Sequence, residues 1–63
     1  MKTSELMSLL YIGVKDREDL AKQHLDRTVD RDTRLVLRTS ITLLHEFGEI
    51  LYNVSDLLQK RNE

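Results

Sequence analysis

From Val36 onward, apolar residues return at steps of three and four: Val36, Leu37, Leu43, Leu44, Phe47, Ile50, Leu51, Val54, Leu57 and Leu58. That period belongs to an amphipathic α-helix, and Arg38, Thr39, Thr42, His45, Glu46, Glu49, Asn53, Asp56 and Lys60 between them form its solvated side. The apolar face is two columns wide. Leu37, Leu44, Leu51 and Leu58 recur every seven residues, and Val36, Leu43, Ile50 and Leu57 recur beside them with the same period. One column serves one neighbouring helix; two columns call for two neighbours, as in a four-helix bundle.

The first half is also helical, with a rougher stripe of Leu6, Met7, Leu10, Val14, Ala21 and Leu25 and with Leu20, Arg17 and His24 close beside it. Thr3 or Ser4 is placed to cap its start. Lys15 with Asp19, Glu18 with Lys22, and Lys22 with Asp26 have the four-residue spacing of helical ion pairs, which assigns them to a solvated face. The two stripes are out of phase. Extending the Leu37, Leu44, Leu51 series backward lands on Asp30, Gln23 and Asp16, so a single continuous helix would turn its apolar face into water.

The chain is therefore expected to break near residues 29–32, where Asp30 or Asp32 can cap a second helix with help from Thr33. The predicted fold is all-α: one domain over the whole chain, an antiparallel two-helix hairpin with helices at about 4–28 and about 33–61. Folding back at residue 30 or 31 sets Leu10 against Leu51, Val14 against Phe47, Leu25 against Val36 or Leu37, and Gly13 against Gly48. Leu44, Phe47 and Leu51 then form the central core of the second helix.

Length changes the picture, because 63 residues lie below the size at which a single core usually suffices. With no cysteine, neither a disulfide nor a thiolate-held zinc can make up the deficit, which leaves association as the remaining route. The expectation is a homodimer that completes a four-helix bundle. Ten basic against eleven acidic side chains give a formal charge of −1, so no global field selects nucleic acid or anionic membrane as a partner. No apolar run approaches the ~20 residues of a membrane span. The stretch from Leu6 to Val14 follows Glu5, is interrupted by Ser8 and lacks a small-residue cleavage site, so it is read as helix rather than leader and the location as cytoplasmic.

Candidate chemistry is sparse. A leucine repeat preceded by Arg27, Arg31, Arg34 and Arg38 invites a basic-zipper reading, but Asp26, Asp30 and Asp32 are interleaved with these arginines, and residues 26–38 hold four Arg against three Asp. Nucleic-acid contacts by Lys22, Arg27, Arg31, Arg34 and Arg38 are thus the second reading. His45 and Glu49, four residues apart, could share a metal on one helix face. The simpler assignment is an exposed histidine paired with Glu49. No catalytic constellation can be assembled from the remaining residues, so neither an enzyme nor a cofactor is expected.

Apolar residues crowd the open end of the hairpin in every direction around the first helix. Leu6, Leu9, Leu10, Tyr11 and Ile12, with Ile50, Tyr52 and Leu57 of the second helix, are accordingly the expected interface with a partner, either a second copy or another protein. The function class that follows is a small non-enzymatic, protein-binding regulator or adaptor. In length and two-helix layout the chain resembles small plasmid-encoded RNA-binding hairpins that dimerise into four-helix bundles, and it shares no motif with them.

Overall fold

The computed structural model describes residues 2–61, which form two helices folded into an antiparallel hairpin, α1 over Thr3–Arg27 and α2 over Arg31–Lys60. The long axis is 48 Å and the thickness only 11–15 Å, so the molecule is a single layer of helix with little interior. The connection is Thr28, Val29 and Asp30, shorter than the sequence pattern indicates and closer to the N-terminus.

The turn is built from side chains. Asp30 caps α2: its carboxylate accepts from the Thr33 backbone N–H at 2.9 Å and from the Thr33 hydroxyl at 2.7 Å. These bonds hold the Asp30 carboxyl below its ordinary pKa, the hydroxyl bond contributing most and the backbone bond next. Asp32, the alternative cap, lies inside the first turn of α2. Asp30→Ala is expected to lower the melting midpoint by several degrees and Asp32→Ala to leave it nearly unchanged; thermal melts of the two variants side by side check the assignment.

At the end of α1, where a glycine would ordinarily relax the chain, the residue is Thr28 with extended backbone (φ −97°, ψ 130°). The Thr28 backbone N–H donates to Leu25 O at 3.3 Å, and two side chains add further bonds to the carbonyls there. Arg34 Nη1 donates to Leu25 O and to Thr28 O, each at 2.9 Å, and the Thr28 hydroxyl donates to His24 O at 2.6 Å. Arg34 thus ties the first turn of α2 to the last turn of α1. At the other end of α1 the expected caps fail: Thr3 and Ser4 lie within the helix, and Glu5 accepts from the Lys2 backbone N–H at 3.4 Å.

Along α2 the seam follows Arg34, Leu37, Ile41, Leu44, Gly48, Leu51, Ser55 and Leu58, a three-four repeat sustained over the helix, and each is buried or half-buried. Leu51 is the buried apolar residue at its heart, 6% exposed. Opposite it, α1 contributes mostly small or polar groups. Ser8 Oγ lies 3.3 Å from Ser55 Oγ, and Ser55 Oγ donates to Ser4 O at 3.3 Å. Tyr11 and Tyr52 pack with ring centroids 5.9 Å apart.

Several expected facing pairs are corrected by this seam. Phe47, placed in the central core by its spacing, is half exposed, and Leu10 and Val36 are exposed as well. The predicted apposition of two glycines does not occur. Gly48 is buried and faces Val14, Lys15 and Tyr11 at 3.6–3.7 Å from where a Cβ would stand, whereas no atom approaches Gly13 within 4 Å.

Candidate functional site: an uncovered apolar flank

Because the seam keeps a seven-residue period, residues seven apart hold the same position relative to the neighbouring helix. The second apolar column of α2 can therefore be followed directly. Val36, Leu43, Ile50 and Leu57 are all more than half exposed, and Phe47 joins them. The leucine column 37, 44, 51 and 58 is buried or half-buried toward α1, and the parallel column is left mostly uncovered by the hairpin.

A shallow groove shows which side of α1 shares that flank. It is lined by Arg17, Leu20, Ala21 and His24 of α1 with Leu37, Ser40, Leu43 and Leu44 of α2. Stepping back by seven from Leu20 and Arg17 adds Gly13, Leu6 and Leu10 to the same side. Leu6, Leu10 and Leu20 are exposed, as their positions require. One face of the layer thus carries Leu6, Leu10, Leu20, Val36, Leu43, Phe47, Ile50 and Leu57, with Arg17 and His24 of α1 among them.

Of the interface residues expected from the sequence, Leu6, Leu10, Ile50 and Leu57 fall on this flank. Tyr11, Ile12 and Tyr52 line a different groove, on the other side of the layer, together with Ser8, Ser55, Asp56 and Gln59. Leu9 is exposed and lines neither. Leu20, Val36, Leu43 and Phe47 are not among the interface residues expected from the sequence, although the two-column pattern of α2 marks Val36 and Leu43.

The opposite side carries the charge chemistry. Glu18, assigned by its spacing to a solvated face, is only 2% exposed and is the largest fully buried side chain among the described residues. Its carboxylate is held by Lys22 Nζ at 2.9 Å and Lys15 Nζ at 3.0 Å, with His45 Nδ1 of α2 at 3.7 Å from the Lys15-bound oxygen. His45 Nε2 in turn meets Glu49 Oε1 at 3.2 Å. The hydrogen bonds from Lys22 and then Lys15 outweigh the cost of burial and bring the Glu18 pKa down to about 2.

The folded carboxylate loses its proton more readily than the ordinary glutamate at 4.5, so its contribution to stability is complete above that value. It declines as pH falls toward about 2. Acid titration of stability should therefore show a loss between these limits that Glu18→Gln removes; chemical denaturation at pH 5 and pH 3 on both proteins checks it. His45 stands between the carboxylates of Glu18 and Glu49, and among the described residues no group of three or more side chains that could hold a metal ion is assembled.

The five basic residues of the nucleic-acid reading are not equally available. Arg34 is spent on the α1 carbonyls and Lys22 on Glu18. Arg31 and Arg38 line a shallow depression with Val29, Asp32, Arg34 and Leu35, and Arg27 is exposed elsewhere at the end of α1. No helix of the described residues is long and apolar enough to cross a membrane. No known protein family, curated protein or solved structure matches the chain.

Proposed function

We propose that the protein is a non-enzymatic, protein-binding regulator or adaptor whose working unit is a homodimer, two hairpins stacked through their apolar flanks into a four-helix bundle. The observation that carries this reading is the uncovered second column of α2 with the matching side of α1. An apolar face of this length on a one-layer molecule is a binding surface rather than the scattered exposed leucine of an ordinary monomer.

Surface area supports a second copy as the occupant. The hairpin exposes 5102 Å², whereas a compact monomer of 7.4 kDa exposes about 4200 Å². The surplus of about 900 Å² is close to the ~800 Å² that each partner contributes to a standard stable interface. Stacking two such layers converts a sheet of helix into a two-layer body with one interior, the arrangement in which helices with two apolar columns are stable.

A dimer that is linked to folding becomes more stable as protein concentration rises. The melting midpoint should increase by several degrees between a few micromolar and several hundred micromolar chain. A midpoint independent of concentration over that range, with the chain monomeric throughout, would overturn the proposal. The nucleic-acid reading makes a separate forecast: salt-sensitive binding lost in Arg31→Glu and Arg38→Glu.

A further inference from the structure

Given the homodimer proposed above, on which this inference rests, we infer that α1 of each copy packs on α2 of the other, with both turns at the same end of the bundle. Two hairpins stacked face to face can be related by a two-fold axis in two ways. If the axis runs along the helices, α1 covers α2 of the second copy. If it runs across them, α1 covers α1, α2 covers α2, and the turns lie at opposite ends. The side chains on the flank distinguish the two.

An axis along the helices leaves the height of every residue unchanged, so the register between copies is the register already present inside the hairpin. That register sets Ser8 level with Ser55, Tyr11 with Tyr52 and Glu18 with His45. Carried to the flank, it sets Leu6 level with Leu57 of the second copy, Gly13 with Ile50, and Leu20 with Leu43. At these three levels apolar or small residues meet, and at the turn end Val36 comes level with Arg27. Gly13, which has no atom of its own hairpin within 4 Å of a would-be Cβ, supplies the space into which the bulk of Ile50 and Phe47 of the second copy fits.

Charge points the same way, because Arg17 and His24 line the flank groove beside Leu20 and Leu43. An axis across the helices, centred on the layer, brings the two Arg17 side chains toward each other and sets His24 against Leu6. Like charges at the centre and an imidazole against a leucine oppose that arrangement.

The turn reports the arrangement directly. Val29 is 96% exposed, and the chain has no cysteine, so a single spin label at Val29→Cys reads the distance between the two turns. Turns at the same end predict a distance of about 10–20 Å, one or two helix spacings. A distance near the 48 Å length of the layer would overturn the inference while leaving the homodimer intact. A labelled sample that remains monomeric, with no dipolar coupling between chains at several hundred micromolar, would overturn the homodimer itself.

Discussion

Leu43→Glu should convert the dimer to monomer at micromolar concentration and remove most of its thermal stability. Leu43 is exposed within its own hairpin, so replacing it disturbs few contacts there. In a lone hairpin such a change on a solvated side costs within about 0.5 kcal/mol. In the proposed bundle it removes a leucine from the interface and takes a carboxylate out of water beside Leu20 and Arg17, a desolvation cost of several kcal/mol at each of two symmetry-related sites that one arginine at the groove only partly offsets. The variant is therefore decisive because the two accounts differ by an order of magnitude. Ile50→Glu should behave alike, and Thr42→Glu, on the solvated side of α2, serves as the control. Sedimentation velocity with helix content by circular dichroism separates loss of assembly from loss of fold.

The second large effect is expected at Leu51→Ala. This side chain sits in the seam at 6% exposure, and an apolar truncation at such a position typically costs about 2–5 kcal/mol. A one-layer hairpin has nothing to spare. Leu51 is the buried apolar side chain among the described residues, so its truncation empties the middle of what interior there is. Phe47→Ala tests the corrected placement: it should leave the isolated seam nearly intact and act through the flank. Denaturant titrations would show a loss for Leu51→Ala at all protein concentrations and a loss for Phe47→Ala only where dimer is populated.

The hairpin could be read from the sequence because the phase conflict between the two apolar stripes has one physical solution, a reversal near residue 30. The double column of α2 was equally plain. Leu37, Leu44, Leu51 and Leu58 take the seam, and Val36, Leu43, Ile50 and Leu57 are left over. What spacing alone could not decide was which side of α1 meets that seam. The rule that the most apolar side goes inward places Leu6 and Leu10 there, but those residues turn to the flank while Ser4, Ser8, Tyr11 and Glu18 take the seam.

Leu6, Leu10 and Leu20 of α1 lie on the flank, Leu25 is half-buried at the turn end, and the small residues Ser4, Ser55 and Gly48 are buried in the seam. Glu18 escaped notice for a related reason. Its four-residue spacing to Lys22 is that of a surface ion pair, and only the three-dimensional position of Lys15 and His45 shows that the pair closes over a buried carboxylate. The turn followed the same logic. The absent glycine looked like a weakness until Arg34 was seen to bond the carbonyls a glycine cap would have satisfied.

The central claim is that the flank carrying Leu20, Leu43 and Ile50 is covered by a second copy of the chain. Sedimentation equilibrium of the wild-type protein across micromolar concentrations measures this without a label or a variant. The account predicts a single species at twice the 7.4 kDa chain mass, dissociating only on dilution. A folded, helical species that stays at 7.4 kDa up to several hundred micromolar would contradict it.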